Sequence, residues 1–306
     1  MSSPLLQNDS PHLSVVIVNW NAARHLKTCL TSLGQSLRGI SSEVLFIDNA
    51  SEDGSVALVT SCFPWVNVIR NAENLGFVRG NNLGIEHARG SYILFLNPDT
   101  EIVDDAIGKL LHFMKERPAT GVVGPLLLNS DSTPQNSYFG YPGFWTILVE
   151  HILSARLMSW LEKHSTATRG TRRVDVIRGA CLMSRLDLVR KVGGMNPHLF
   201  MYSEETDLCY KIHRLGFTIE YYPFARVFHY QRGSVSAKPE PFVAYHYLRS
   251  RLIFISENYN AVKARLLVGM IIVSLRVRIF IYRLLRSARA RDFQEVLDKC
   301  NADGLL

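Results

Sequence analysis

A chain of 306 residues, 47% hydrophobic and 20% charged, can bury a sizeable core, and this composition excludes a disordered or fibrous protein. Its five cysteines (Cys29, Cys62, Cys181, Cys209, Cys300) are scattered with no CxxC, which argues against a metal-binding or disulfide framework and predicts reduced thiols in a cytosolic protein. The formal charge of +7 is uneven: eight Lys or Arg and no Asp or Glu lie between Asn258 and Arg291, so that end suits an anionic partner.

Residues 1–12 are polar, carry two prolines and lack the apolar core of a signal peptide; they read as a flexible tail. Leu13 to Asn19 is a β-branched run, hence a buried first strand, and Ala22 to Leu37 shows helical spacing at Leu26, Leu30, Leu33 and Leu37. A second strand, Glu43 to Ile47, stops at Asp48, and Ser51 or Asp53 is placed to cap a helix reaching about Cys62. Val66 to Arg70 is a short third strand. The spacing predicts a glycine-bearing loop over Asn71 to Gly80 and a helix over Asn81 to Arg89. Ser91 to Leu96 is apolar on both faces, as in a central parallel strand, and Pro98 ends it, which presents Asn97 and Asp99 at its carboxyl end. A helix over Asp104 to Glu116 and a strand over Gly121 to Leu128 follow.

Strand and helix alternate at short intervals, the pattern of a mostly parallel sheet with helices on both faces, and Asn19, Asp48, Asn97 and Asp99 gather where such sheets bind ligands. Periodicity weakens over Asn129 to Arg173: Pro134 to Gly143 is turn-rich, Phe144 to Leu161 has helical spacing and His164 to Arg173 reads as a mobile basic loop. Then come a strand over Val174 to Met183 interrupted by Gly179, a helix over Arg185 to Val192, the acidic cluster Glu204-Glu205-Thr206-Asp207, a helix over Leu208 to Leu215 and a last strand leading to His229. Residues 13–255 thus read as one α/β domain, its first half at 13–128 carrying the nucleotide-type strand ends and its second half at 129–255, followed by a helical segment at 256–306.

These motifs, taken in order, resemble the inverting GT-A glycosyltransferases of family 2, and within them the rhamnosyltransferase-like branch. The residues that carry the resemblance are Val16 to Asn21, Ile47 to Ser55, Asn74 to Asn82, Leu96 to Asp99, Gly179-Ala180, Glu204 to Leu208 and His229. The resemblance implies a GT-A fold, a nucleoside-diphosphate sugar as donor and Mg²⁺ or Mn²⁺ beneath its diphosphate. Asp48 would accept a hydrogen bond from the ring N–H of a pyrimidine base, as an acceptor-only carboxylate can. Asn19, Asn21, Asn74, Gly76, Phe77, Arg79, Gly80 and Asn82 would face the nucleotide. Asn97 and Asp99 stand at the family's D-x-D, with Asp99 and the late His229 as metal ligands. The general base would come from the acidic cluster, with Glu205 at the family's Asp position and Glu204 and Asp207 as the other candidates. The branch implies dTDP-L-rhamnose as donor and a glycan or lipid-linked acceptor of cell-surface polysaccharide synthesis.

Two other classes compete. A nucleotidyltransferase making nucleotide sugars would want a glycine-rich basic loop where Asn19-Trp20-Asn21 stands, and a non-catalytic domain would bind glycan or lipid through the basic end. In that end the apolar run Leu266 to Leu275 is too short for a bilayer, which needs about 20 residues. On a helix, Arg265, Arg276 and Arg283 fall within about 20° of one another, Arg286 lies beside them and Arg278 nearly opposite. Residues 261–291 are therefore expected either to lie on an anionic membrane surface, at the inner face of the cytoplasmic membrane, or to pack on the domain with the arginines in water. An oligomer is compatible with the sequence, and no nucleic acid is expected, because no reader motif accompanies the basic run.

Overall fold

The computed structural model describes residues 11–152, 170–230 and 240–306. The expected tail up to residue 10, the latter part of the helix expected over Phe144 to Leu161 and most of the basic loop before Arg173 lie outside them. Strands β1 (Leu13–Asn19), β2 (Ser42–Asp48), β3 (Asn67–Arg70) and β4 (Tyr92–Leu96) alternate with helices α1 (Ala23–Ser36), α2 (Ser55–Cys62) and α3 (Gly76–His87). All pairings among these four strands are parallel, in the order β3-β2-β1-β4. Their β-branched and aromatic residues are buried on both faces: Val15 and Ile17 pack on the side of α1, Val16 and Val18 on the side of α3.

A short strand missed by the sequence reading, β5 (Thr100–Val103), follows directly on β4 and precedes α4 (Ala106–Glu116) and β6 (Thr120–Leu128). The second half of the domain supplies β7 (Tyr138–Phe139), α5 (Phe144–Ile152), β8 (Arg172–Arg173), β9 (Val176–Ile177), β10 (Cys181–Arg185), α6 (Leu186–Lys191), α7 (Glu204–Arg214) and β11 (Thr218–His229). Among the described residues nine strands form the main sheet, ordered β3-β2-β1-β4-β10-β6-β11-β5 with β8 on β11; β10 is antiparallel to both of its neighbours, so the sheet is mixed beyond β4. The strand expected over Val174 to Met183 is therefore two strands, β9 and β10, with Gly179 and Ala180 at the break.

Strand β11 pairs in parallel with β6 in two segments, Tyr222 opposite Pro125 and Arg226 opposite Leu126, leaving Pro223, Phe224 and Ala225 outside the ladder. Beyond this offset it pairs antiparallel with β5, which sets His229 opposite Thr100. Three helices close the chain: α8 (Glu240–Asn258), α9 (Ala261–Leu284) and α10 (Arg289–Ala302). The expected boundary at residue 255 falls inside α8. These helices share one apolar cluster with Ile147 of α5, built from Leu252, Phe254, Leu267, Ile271, Leu275 and Cys300 among others.

Candidate active site

The carboxyl ends of β1 and β2 are tied side chain to side chain. Asn19 Nδ2 donates to Asp48 Oδ1 at 3.0 Å and to Ser51 Oγ at 2.9 Å, and Ser51 N donates to Asp48 Oδ2 at 3.1 Å. Asp48, 2% exposed, thus has one bond to each oxygen and lone pairs to spare for a ligand N–H. Asn21 sits in the left-handed region (φ 54) and its Oδ1 accepts from Glu52 N at 2.9 Å. Asn19 and Asn21 therefore hold the two loops in register and aim Asp48. Ser51, which the sequence reading treats as a cap, is the centre of this clamp. Asp53 supports it: its carboxylate accepts from Ala23 N at 2.7 Å and from Ser55 N at 3.1 Å, and although burial pulls the other way these bonds hold it below the usual carboxylate range.

The expected Asn71 to Gly80 loop is corrected by the structure, because α3 begins at Gly76. Its glycines are packing devices. A Cβ at Gly80 would lie 2.8 Å from Val18 Cγ1 and one at Gly84 2.4 Å from Val16 Cγ1, so only glycine lets the helix sit this close to β1. The Asn82 side chain bonds both the N–H and the carbonyl of Met195, at 2.9 and 2.8 Å, and lines neither cleft described below. Asn74 Oδ1 accepts from Gly76 N at 2.9 Å, and Gly76 (φ +84) lies against the Phe200 ring, where any Cβ would collide. Arg79 is exposed on the first turns of α3.

At the end of β4, Asn97 N donates to Ala180 O at 2.9 Å, tying this strand end to the break before β10, while Asn97 Oδ1 is buried without a hydrogen-bond partner. Asp99, 5% exposed, has its Oδ1 3.5 Å from Nε2 of His229. Burial alone would raise the Asp99 carboxyl; the hydrogen bond and charge of the His229 ring outweigh it and hold it below the ordinary range. On its other side His229 Nδ1 lies 2.8 Å from Gln135 Oε1, and Gln135 Nε2 donates to His229 O at 3.1 Å and to Asn129 Oδ1 at 2.9 Å. That network orients the Gln135 amide with its oxygen on the ring, so Nδ1 carries a proton and Nε2 is turned toward the Asp99 carboxylate. The carboxylate and this ring nitrogen, beside the unpartnered Asn97 Oδ1, would suit a divalent cation completed by ligands from a bound substrate, with Nε2 then carrying no proton. Among the described residues no third His, Cys, Asp or Glu joins them.

Glu204, Glu205 and Asp207 occupy the first turn of α7, four residues before the expected start of that helix. The two residues before them, Tyr202 (φ 66) and Ser203 (φ 59), are consecutive left-handed positions, a sharp and costly turn that aims the acidic pair. Asp207 is fully buried, accepts from Asn258 Nδ2 at 3.0 Å and pairs with Lys211 Nζ at 2.6 Å; it anchors α7 to α8 and lines neither cleft described below. Glu204 and Glu205 contact each other; burial raises both above the usual carboxylate range, and the charge of Glu205 raises Glu204 further. At Glu205 the Arg178 charge, the Glu204 side chain and the Gly179 backbone pull the other way, so Glu204 is the more strongly raised of the two.

The two glutamates open onto different spaces. A cleft of about 550 Å³ is walled by Trp20, Asn49, Asn74, Phe77, Asn97 and Glu204, among others. A second, of about 640 Å³, is walled by Tyr138, Arg172, Asp175, Arg178, Glu205 and Arg251, among others. Tyr202 borders both. The carboxyl ends of β1, β2 and β4, the amino end of β10 and the start of α7 thus converge on one edge of the sheet, while Gly80 and Asn82 belong to its packing.

The profile of Glycosyl transferase family 2 matches residues 14–178. The chain belongs to this family. Its catalytic activity is accordingly that of a glycosyltransferase using nucleotide sugars. Over 268 residues, 81% of the chain and 85% of the relative, the family 2 transferase is 28% identical to an N-acetylglucosaminyl-diphospho-decaprenol L-rhamnosyltransferase of Mycobacterium tuberculosis. It is 27% identical over 68% of its length to the low-salt glycan biosynthesis hexosyltransferase Agl10 of Haloferax volcanii, of which it covers 63%. Two solved structures share the GT-A fold: a mannosyltransferase, PcManGT, of Pyrobaculum calidifontis with GDP-Man and Mn²⁺ (TM-score 0.57, 14% identity, 96% of this chain and 76% of that one) and GalNAc-T7 with UDP, GalNAc and Mn²⁺ (TM-score 0.57, 18% identity, 80% and 48%).

Gln135, Arg178, Phe200 and Tyr202 are absent from the sequence-based site. Gln135 and Arg178 lie in or beside the irregular stretch where no periodicity marks them, and the aromatic Phe200-Met201-Tyr202 run just before the acidic cluster was the available signal.

Proposed function

We propose that the protein is a metal-dependent inverting transferase that moves a sugar, L-rhamnose from dTDP-rhamnose, to a lipid-linked glycan acceptor in cell-surface polysaccharide synthesis. The observation that carries this reading is the placement of Glu204 and Glu205 at the border of two clefts, one beside Asn97 and the other lined by arginines. The first cleft, walled by Asn49 and Asn97, would take the donor: Asp48, next to Asn49 in the chain, would meet the base, and Asp99 and His229, just beyond Asn97, would hold the cation of the diphosphate. A divalent cation held by Asp99 and His229 would neutralise charge on the leaving diphosphate. Glu205, ionised and facing the second cleft, takes the proton of the acceptor hydroxyl as that oxygen attacks the anomeric carbon from the face opposite the diphosphate, which inverts the configuration. Glu204, protonated, keeps a second negative charge away from the donor phosphates.

The second cleft favours an anionic acceptor. Arg172, Arg173, Arg178 and Arg251 line it, Arg173 paired with Glu220 at 3.7 Å, while Tyr138, Tyr202 and Tyr247 offer faces for sugar rings. A glycan carried on a diphosphate, as in the name of the mycobacterial relative, matches both features.

The test is a donor screen by thermal shift with Mn²⁺ present, comparing dTDP-, UDP- and GDP-sugars, followed by turnover with glycosyl acceptors that carry or lack a diphosphate. Stabilisation by dTDP-rhamnose and transfer only to the diphosphate-bearing acceptor are expected. Preference for another nucleotide refutes the rhamnosyl assignment, and equal use of both acceptors refutes the anionic one.

A further inference from the structure

Helix α9 is apolar on two opposite sides. Leu267, Ile271, Leu275 and Ile279 are buried at four-residue spacing in the cluster shared with α5, α8 and α10. Val262, Leu266, Val273, Val277, Phe280 and Leu284 are each between 50% and 70% exposed. At about 100° per residue these six fall within an arc of about 60° centred opposite the buried row, and at about 1.5 Å per residue they run some 33 Å along the helix. Such a length of uncovered apolar surface is unusual for a face that meets only water. Along one margin of the stripe stand the exposed Arg265, Arg276 and Arg283, and from Asn258 to Arg291 no acidic residue offsets them.

We propose that this outer face of α9 docks in the plane of an anionic lipid bilayer. The charge pattern selects the occupant. A second copy meeting this stripe through its own α9 would bring another arginine row and no carboxylate from that helix, whereas anionic headgroups supply counter-charge at the depth where arginine side chains leave an interface. A stripe of valine, leucine and phenylalanine enters the acyl boundary while the basic margin stays among the headgroups. Crossing the membrane is a different matter: among the described residues no helix is long and apolar enough to do so.

Helix α5 links α9 to the Glu205 cleft: it buries Ile147 against the inner row of α9, lends Thr146 and Val149 to the wall of that cleft, and exposes Phe144 and Trp145. Docking by α9 would therefore bring the cleft, and a lipid-anchored acceptor held in it, within two helix layers of the bilayer. This last point rests on the acceptor assignment above; the docking itself does not.

The experiment is co-sedimentation of the full chain with phosphatidylcholine vesicles containing or lacking phosphatidylglycerol. Two double variants go alongside, Val277→Asp with Phe280→Asp and Arg265→Glu with Arg276→Glu. All four positions are exposed, so the variants should unfold at the wild-type temperature. Binding to the anionic vesicles is expected, weakened at least tenfold without phosphatidylglycerol and at least tenfold by either pair of substitutions. Wild-type protein that ignores anionic vesicles, or variants that bind them equally well, would overturn the proposal. So would light scattering that shows a wild-type dimer abolished by the apolar variant with vesicle binding unchanged.

Discussion

Gln135 Oε1 lies 2.8 Å from Nδ1 of His229, a residue 94 positions further along the chain, and the contact fixes which ring nitrogen faces Asp99. Replacing Gln135 with Met keeps the volume and removes the acceptor, so the ring is free to turn or change tautomer. The concentration of Mn²⁺ that half-saturates activity should rise about 10- to 100-fold, the usual cost of losing a partner behind a metal ligand. A titration of turnover against Mn²⁺ checks this; an unchanged midpoint would separate His229 from the metal.

Asp99→Asn removes the carboxylate next to His229 and keeps its size. Metal-dependent turnover should fall about a hundredfold or more, because charge on the departing diphosphate loses its counter-ion. Donor turnover measured with and without chelator reads this out.

Glu205→Gln should depress turnover by about 10²- to 10⁴-fold and leave the donor Kd nearly unchanged, since a base acts on the acceptor hydroxyl in the transition state. Isothermal titration with the nucleotide alone, beside initial rates, distinguishes this from misfolding. If Glu204→Gln is instead the inactive variant, the two glutamates exchange roles.

Glu204→Gln has a second signature, in stability. Burial and the neighbouring Glu205 raise the pair in the folded state, so the fold holds protons that the unfolded chain releases. A raised acidic group destabilises as pH climbs from the unfolded value (about 4.3) through the folded one, and costs nothing below both. The variant should therefore match the wild-type Tm at acid pH and exceed it increasingly toward alkaline pH. A gap that stays constant with pH would show that the pair does not share a proton.

Gly84→Ala should destabilise by roughly 1–3 kcal/mol, since a methyl group cannot fit 2.4 Å from Val16 Cγ1 without moving α3 off β1. Coupling with Val16→Ala in a double-mutant cycle tests the cause. Additive losses would place the strain somewhere other than this contact.

The same pair of residues explains where the sequence was misleading. Gly76 and Gly80 look like loop glycines in a polar stretch, and nothing in the local pattern reveals that a strand far earlier in the chain needs the space at Gly80 and Gly84. Asp48, Asn97 and Asp99 were legible because a buried apolar run that stops at a polar residue marks a strand end, and strand ends are where α/β sheets keep their chemistry. Glu204 and Glu205 were legible as a cluster, yet only the turn at Tyr202 and Ser203 divides them between two clefts. Gln135 was not, because its position depends on an irregular turn that folds back onto the end of β6, where Gln135 N donates to Leu127 O, and no periodicity announces it. For α9 the arginine row could be read from spacing, while its second apolar side cancels the amphipathic signal that a single buried face would give.

The three residues of β11 that stand outside its ladder with β6 act as a ruler for the catalytic centre. Consecutive strand residues point to alternate sides, so a chain shortened or lengthened by one residue between Tyr222 and Arg226 would turn the His229 ring to the far side of the sheet, and Asp99 would face empty space. Length is therefore constrained here beyond side-chain identity: Phe224, 56% exposed, tolerates replacement, whereas Ala225 is fully buried in the core and leaves no room for a larger side chain.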